Sequence, residues 1–291
     1  MQYPDAHFAH FLTGEIMQKN RQLIVTLLTA LALFGCASVD TTSGGQVGVS
    51  RKQMMLVSSA EVNREAAKAY RQVIADAQKK GMLNQNALLV QRVRSISARL
   101  IPATATFRAD APGWQWETNV ISSKELNAWC MPGGKIAVYT GLIEKLNATD
   151  DELAAVLGHE IAHALREHGR EKMSQSAGIN VATGIGGALL GAYLGVDAKL
   201  GQQALGVVGD LAFMRPNSRG MEQEADRIGV ELAARAGYDP RAAISLWQKM
   251  EKASTGSVPQ WLSTHPSHGS RIADLRVYAD RVYPLYTARP K

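Results

Sequence analysis

Two histidines and a glutamate in the middle of the chain have the types and spacing of a hydrolytic metal site. They form the run His159-Glu160-Ile161-Ala162-His163, in which the histidines are four positions apart. Residues with this spacing share one face of an α-helix, so both imidazoles can bind one metal ion. Glu160 lies one step round the helix, where its carboxylate can reach a water molecule on that metal. The pattern predicts a zinc-dependent peptidase; a pair of buried structural histidines is the alternative.

A third protein ligand has to come from another part of the chain. The metzincin class needs glycine at position 166 and histidine at position 169, but this chain has Arg166 and Gly169, which excludes that class. The run Glu222-Gln223-Glu224-Ala225-Asp226 offers carboxylates instead. Glu222 and Asp226 share a helix face, so one can bind the metal while the other supports a ligand histidine. Glu224 is expected to point away as a surface charge, and an ordinary acidic helix face is the alternative for the run.

Further motifs follow one another in the order of a known family. They are Asn127-Ala128-Trp129-Cys130-Met131-Pro132-Gly133-Gly134, then Tyr139-Thr140-Gly141-Leu142, the histidine motif, Ser218-Arg219 ahead of the acidic run, and Thr264-His265-Pro266 through Arg271. With these motifs the chain resembles, over about residues 60–280, the gluzincin metallopeptidases of the HtpX, CAAX prenyl protease, BepA and LoiP family. It is most similar to the LoiP-like periplasmic lipoproteins.

The resemblance implies a metalloendopeptidase with one Zn²⁺ per chain. Its expected ligands are His159, His163 and Glu222, with Asp226 supporting a ligand histidine. Glu160 is the expected general base, which takes a proton from the attacking water and passes it to the leaving amine. Zinc is an inference, because two imidazoles and a carboxylate also accept other divalent metals.

Two residues near the C-terminus receive roles from the resemblance alone. His265 is expected near the metal, as an oxyanion donor or as a displaceable fourth ligand. Arg271 is expected to brace the loop that carries this histidine. A residue of a helix-capping loop is the alternative for His265, since a His-Pro pair alone is a weak signal.

The N-terminus has the pattern of a bacterial lipoprotein signal. Lys19 and Arg21 precede an uncharged, largely apolar run from Leu23 to Gly35, and Cys36 follows a small residue. By resemblance to enterobacterial lipoproteins, the alanine after the cysteine favours the outer membrane. We therefore predict lipidation of Cys36 and a periplasmic location; a plain secretory signal or an uncleaved anchor is the alternative. Met17 is a candidate for the true start.

The chain divides into three predicted segments. Residues 1–35 are upstream residues and signal peptide, residues 36–57 are the lipidated cysteine and a flexible tether rich in Gly, Ser and Thr at 41–50, and residues 58–285 are the peptidase domain. Within the domain, periodicity and caps predict helices at 58–81, 85–100, 150–169, 221–236, 240–252 and 270–283, with short strands between 114 and 143. The fold class is α+β, a mostly helical zincin-like domain with one small β-sheet before the active-site helix.

The strand predicted from Lys135 to Ile143 directly precedes the active-site helix. We expect it to be an edge strand on which an extended substrate pairs, with Ile136 and Val138 in that edge. Backbone pairing selects little for side chains, so unfolded or misfolded proteins are the expected substrates.

The composition and the distribution of charge argue against a nucleic-acid-binding function. The chain has a formal net charge of +6 and is 20% charged, but its basic residues are scattered and lack a nucleic-acid motif, so no nucleic acid is expected. The predicted function is the cleavage of misfolded or damaged envelope proteins, with other envelope proteases or assembly factors as candidate partners. The alternative is a chaperone-like assembly factor for outer-membrane proteins. The uncharged segment 178–196 is interpreted as close-packed helices or a lid over the active site. Cys130 is interpreted as a buried, inert thiol.

Overall fold

The computed structural model describes residues 38–176, 216–253, 260–265 and 269–288. Residues from Asp40 onward form one compact unit. The predicted signal peptide, Cys36 and the glycine-rich stretch 178–209 lie outside the described residues.

The described residues form a mostly helical α+β domain, as predicted. Strand β1 (Ser38–Val39) precedes the compact unit, and the strands within that unit are β2 (Gln53–Met54), β3 (Glu117–Ile121), β4 (Ala128–Met131) and β5 (Lys135–Tyr139). The helices are α1 (Ser59–Lys79), α2 (Ala87–Leu100), α3 (Thr140–Lys145), α4 (Asp150–Leu165), α5 (residues 168–176), α6 (Arg219–Arg235), α7 (Ala242–Ala253), α8 (Gln260–Thr264) and α9 (Arg271–Thr287). Short 3-10 helices span Ile101–Thr106 and Ala111–Gly113.

The sheet ahead of the active-site helix has three strands in the order β3-β5-β4. Strand β5 pairs in parallel with β3 and antiparallel with β4. The turn from β4 to β5 uses Gly133 and Gly134 at φ of +80° and +83°, a backbone conformation that favours glycine. The predicted edge strand is therefore wrong: β5 is central, and Ile136 and Val138 are fully buried. Pairing with β3 is a contact between distant parts of the chain, which the local pattern of β5 does not encode.

Helix α4 begins with a reciprocal cap. The sequence predicts Asp150 as the cap of this helix, but Thr149 is the N-cap. Its hydroxyl accepts from the Glu152 backbone N–H, while the Glu152 carboxylate accepts from the Thr149 backbone N–H. The Glu152 carboxylate also accepts from Ser245 and pairs with Lys249 on α7 at 2.7 Å. These contacts hold the start of α4 against a neighbouring helix.

The C-terminal end of α4 differs from the prediction of a continuous helix to Gly169. The helix ends at Leu165, Glu167 adopts a φ of +50°, and the chain becomes helical again at residue 168. This turn changes the direction of the chain immediately after the histidine motif.

A close contact between two glycines joins α4 to α6. A Cβ atom added to Gly158 would lie 2.7 Å from the Gly229 carbonyl oxygen, and one added to Gly229 would lie 2.8 Å from the His159 backbone nitrogen. Ordinary contacts of a Cβ lie at 3.4–4 Å, so neither position accommodates a side chain. The two glycines allow the backbones of the metal-site helices to approach closely.

The segment predicted as a flexible tether packs on the domain instead. Val47 and Val49 belong to the main hydrophobic core. The backbone N–H groups of Gln46 and Val47 donate to the buried carboxylate of Glu231 on α6 at 2.8 and 3.0 Å. Gly45 lies so near this carboxylate that an added Cβ would be 2.6 Å from it. The small residues that indicated flexibility therefore serve a close backbone approach.

No described helix has the length and apolarity that a membrane span requires.

Candidate metal centre and active site

Four potential metal-binding side chains converge between α4, α6 and the residue after α8. The Nε2 atoms of His159 and His163 are 3.0 Å apart. Glu222 from α6 places Oε1 3.3 Å from His163 Nε2 and Oε2 3.6 Å from His159 Nε2. With His265, one donor atom of each residue lies within 4.8 Å of the others. The structure thus brings together the three predicted ligands and the predicted fourth residue.

Glu160 lies beside this cluster and has two aromatic neighbours. The Trp261 indole N–H donates to Glu160 Oε1 at 2.7 Å, and His265 Nε2 lies 3.5 Å from the same oxygen. The Trp261 and His265 rings stack with centroids 4.8 Å apart. Trp261 was not predicted as a site residue, although its position four residues before His265 is the spacing that aligns side chains along a helix.

Asp226 and Arg271 form a second layer around the ligands. Asp226 Oδ1 lies 2.9 Å from His159 Nδ1, and Arg271 donates to Asp226 Oδ1 at 2.7 Å and to Glu222 Oε2 at 2.8 Å. The Asn217 amide, which was not predicted, donates to Glu222 Oε1 at 2.8 Å. Arg271 was predicted to brace the loop that carries His265; its contacts with described residues show its guanidinium bridging the two carboxylates. Such hydrogen bonds orient ligand side chains before a metal arrives.

The prediction that Glu224 is a surface charge is wrong. Its side chain is buried and accepts from Arg51 Nε at 2.5 Å and from Arg166 Nε at 3.0 Å. His168 Nε2 lies 3.0 Å from Glu224 Oε2, and His168 Nδ1 lies 2.7 Å from His163 Nδ1. Helical periodicity correctly separates Glu224 from the face of its acidic neighbours, but it gives no information about the residues that cover the other face.

The buried environment sets the protonation of the cluster. Burial lowers the pKa of His159 and of His265 to about 3, and it lowers the pKa of His163 well below its ordinary value. The imidazoles are therefore neutral at physiological pH, the form in which histidine binds metals. Burial raises the pKa of Glu160 to about 8, although the hydrogen bond from Trp261 lowers it.

The chemistry of this donor set fits a divalent metal ion. Two neutral imidazoles and one carboxylate are a ligand combination of catalytic zinc sites, in which a fourth position stays open. Each of the three ligands has a hydrogen-bonded partner: Asp226 for His159, His168 for His163, and Arg271 for Glu222. The residues thus form a pre-organised site for such an ion.

A cleft of about 230 Å³ opens beside the cluster. Its lining includes Glu160, His163 and His265 together with residues 127–132, which contain strand β4. Cys130 lies in this strand with a half-buried side chain, and burial raises the pKa of its thiol. Glu160, His163 and His265 therefore border a space that is also lined by extended backbone.

The sequence is similar to those of known metallopeptidases, in agreement with the donor set of this site. The family model of Peptidase family M48 matches residues 87–279. Mitochondrial metalloendopeptidase OMA1 of Bos taurus is 41% identical over 186 residues, covering 60% of this chain and 34% of that protein. The beta-barrel assembly-enhancing protease of Yersinia pestis is 29% identical over 279 residues, covering 91% of this chain and 55% of that protein.

A third relative is similar in length. Metalloprotease LoiP of Escherichia coli is 26% identical over 258 residues, which cover 89% of this chain and 96% of that protein. By contrast, this chain spans about a third of the bovine relative and about half of the Yersinia relative. The family match covers the sheet, both histidine ligands, the acidic run and Arg271. The resemblance inferred from the motifs is confirmed, and the chain belongs to peptidase family M48.

Proposed function

We propose that this protein is a zinc-dependent endopeptidase whose substrates are extended segments of protein. The observation that carries the proposal is the convergence of His159, His163, Glu222 and His265 around one point, with the Glu160 carboxylate beside them at the cleft. A zinc ion at this point would activate a water molecule and polarise the carbonyl group of the scissile bond. The proton transfers would be carried out by the protein's own side chains.

Glu160 has the position of the general base. Its carboxylate can take the proton of the attacking water and deliver it to the amine that leaves. The N–H group of Trp261 fixes one carboxylate oxygen, so the other oxygen is available for the proton. Glu160 must be ionised to begin the cycle, and a cation bound nearby favours that state.

The two expected roles of His265 correspond to its two tautomers. Nδ1 lies 2.9 Å from the Thr264 hydroxyl and 3.1 Å from the Trp261 carbonyl oxygen. If the hydroxyl donates to Nδ1, the proton of the ring is on Nε2, which can stabilise a developing oxyanion. If Nδ1 donates to the carbonyl, the lone pair of Nε2 faces the other ligands and suits metal binding.

Strand β4 replaces β5 as the proposed substrate-binding strand. It lies at the end of the sheet, lines the cleft, and has no strand partner on its outer side among the described residues. Tyr139 N–H donates to Asn127 C=O, so alternation turns the Trp129 backbone groups toward β5 and those of Cys130 outward. A substrate that adds a strand here would pair with the outward groups.

This assignment predicts opposite results for two proline substitutions. Cys130→Pro removes an outward N–H group, so we expect peptide cleavage to fall while the protein still folds. Trp129→Pro removes an N–H group directed at β5 and is expected to unfold the sheet. Circular dichroism and cleavage of an unstructured peptide would be measured for both. Unchanged cleavage by folded Cys130→Pro would show that β4 does not bind substrate.

Metal content and casein cleavage of the soluble form that starts after Cys36 test the catalytic proposal. We expect one zinc ion per chain in the wild type and in Glu160→Gln, with cleavage in the wild type alone. Glu160→Gln keeps the size of the side chain and removes the base, so retained activity would contradict the assigned role. A wild-type protein that binds no metal would overturn the proposal.

We further propose that the enzyme is anchored by lipid on Cys36 in the periplasm, at the inner leaflet of the outer membrane, where it degrades misfolded envelope proteins. The signal-like N-terminus supports this location, as do the LoiP and beta-barrel assembly-enhancing relatives. The mitochondrial relatives share the peptidase region. Detergent-phase partition of the wild type and Cys36→Ala tests the anchor, and equal partition would refute it.

A role in assembling outer-membrane proteins is a second candidate function. It is favoured by the name of the Yersinia relative, a beta-barrel assembly-enhancing protease that aligns with 91% of this chain. Glu160→Gln separates the two functions in cells. Complementation of a deletion strain by this variant would favour assembly, whereas failure to complement would favour proteolysis.

A further inference from the structure

The two histidine ligands are held in different ways. His159 Nδ1 contacts a carboxylate directly, Asp226 Oδ1 at 2.9 Å. His163 Nδ1 instead contacts a second imidazole, His168 Nδ1 at 2.7 Å, and His168 Nε2 contacts Glu224 Oε2 at 3.0 Å. We propose that His168 and Glu224 are positioning residues that hold His163 in the tautomer that binds metal. This inference rests on the proposed metal site.

The tautomers of His163 and His168 determine the direction of each hydrogen bond between His163 and Glu224. A metal ion needs the lone pair of His163 Nε2, which places the proton of that ring on Nδ1. His163 Nδ1–H then donates to His168 Nδ1, which must be an acceptor. The proton of His168 is therefore on Nε2 and donates to Glu224.

The opposite order of protons is disfavoured by the same contacts. If His168 carried its proton on Nδ1, its Nε2 lone pair would face the Glu224 carboxylate at 3.0 Å, and two acceptors would repel each other. His163 would then carry its proton on Nε2, which points into the ligand cluster. Glu224 thus selects the tautomer of His168, and His168 selects that of His163.

Two guanidinium groups, one fully buried and one partly exposed, keep Glu224 in place as an acceptor. Arg166 Nε donates to Glu224 Oε2 at 3.0 Å, and its side chain is fully buried. Arg51 donates to Glu224 Oε1 at 2.5 Å and to both carboxylate oxygens of Glu171 at 2.6 and 2.8 Å. Arg51 lies before the region that the family model matches, so the N-terminal segment takes part in the support of the metal site.

The backbone explains how His168 reaches this position. Helix α4 ends at Leu165, and the positive φ of Glu167 turns the chain before α5 begins. The turn brings His168 back beneath His163, five positions earlier in the sequence, and against α6. As a result, all three acidic residues of the run at 222–226 serve one site, although Glu224 lies on a different helix face from the other two.

Zinc affinity and histidine tautomers test the proposal. The dissociation constant for Zn²⁺ would be measured by competition with a chelating indicator for the wild type, His168→Phe and His168→Asn. We expect His168→Phe, which keeps a ring but loses the acceptor, to bind zinc about 10–100-fold more weakly. His168→Asn places an amide oxygen near the position of Nδ1, and its affinity should be partly restored.

Glu231→Gln is the matched control. It neutralises a buried carboxylate on the same helix, whose contacts are with Arg235 and the backbone at Gln46 and Val47. We expect its zinc affinity to equal that of the wild type even where its thermal stability falls. Glu224→Gln, by contrast, should weaken zinc binding.

A measurement on the wild type does not depend on the folding of any variant. Long-range ¹⁵N–¹H NMR correlations distinguish Nδ1–H from Nε2–H imidazoles. We expect His168 to carry its proton on Nε2, and a proton on Nδ1 would overturn the proposal. A wild type that binds zinc and cleaves casein, together with a His168→Phe variant that binds zinc equally tightly, would refute the positioning role alone and leave the proposed peptidase intact.

Discussion

The glycine contact between α4 and α6 predicts that one added methyl group disrupts the metal site. In Gly229→Ala the new Cβ would lie 2.8 Å from the His159 backbone nitrogen and 3.0 Å from the Gly158 carbonyl carbon. The first distance is about 0.6 Å short of the closest ordinary contact, 3.4 Å. Both atoms belong to the backbone of α4, so relief requires the two helices to separate.

The energetic cost follows from overpacking. Extra atoms in a filled interior typically destabilise a protein by about 1–3 kcal/mol, and alanine recovers part of this through its better helix propensity, about 1 kcal/mol relative to glycine. The metal site is more sensitive, because zinc ligands must lie within about 0.2 Å of their ideal distances. A separation of several tenths of an ångström moves Glu222 and Asp226 away from the histidines. We therefore expect a moderate loss of stability and a larger loss of zinc affinity.

Urea unfolding of the metal-free protein and zinc competition would measure the two effects separately. Gly220→Ala is the control, since it lies on the same helix and an added Cβ there would meet only the Ser218 hydroxyl at 3.9 Å among its near neighbours. This variant should be as stable as the wild type or more stable, with unchanged zinc affinity. If Gly229→Ala binds zinc as the wild type does, the close approach of the helices does not position the ligands.

Two further predictions concern buried carboxylates. Burial raises the pKa of Glu152, but contacts with Lys249, Thr149 and Ser245 outweigh it and lower the pKa below its ordinary value. The contribution of Glu152 to stability is therefore present above its unfolded pKa of about 4.5 and is lost as pH falls through the lower folded pKa. Glu152→Gln should therefore reduce the free energy of unfolding at neutral pH by about 1–3 kcal/mol and make that free energy less dependent on pH in the acidic range. An equal free energy of unfolding for the wild type and the variant at neutral pH would contradict this prediction. Trp261→Phe removes the N–H hydrogen bond that lowers the pKa of Glu160. The pKa of Glu160 then rises further, and the acid limb of the kcat/KM profile moves to higher pH. An unshifted acid limb would show that this hydrogen bond does not tune the pKa of the base.

Features that depend on short stretches of sequence were predictable. The four-residue spacing of His159 and His163 places both rings on one face of any helix, so this pair of candidate ligands follows from helical geometry alone. Helix starts agreed within a few residues: the helix predicted at 58–81 begins at Ser59, and the helix predicted at 240–252 begins at Ala242. The family was also recognisable, because its motifs are local runs in a fixed order.

Features that depend on partners from distant parts of the chain were not predictable in the same way. The pattern of apolar residues in β5 suits a central strand and an edge strand equally, and the pairing with β3 decides between them. The small residues at 41–50 resemble a linker, yet the buried Glu231 carboxylate gives their backbone N–H groups a partner. Sequence composition describes a segment, whereas burial depends on what lies against it.

The metal site shows the same division. The sequence by itself indicated the chemical types of the candidate ligands and base, because helical spacing places His159, Glu160 and His163 together and the family resemblance adds Glu222. The tertiary structure decided how these groups are held: Trp261 against Glu160, Arg271 between two carboxylates, and Glu224 next to His168. Orientation and pKa depend on hydrogen-bond partners and on exclusion of water, and both arise when separate helices pack around the site.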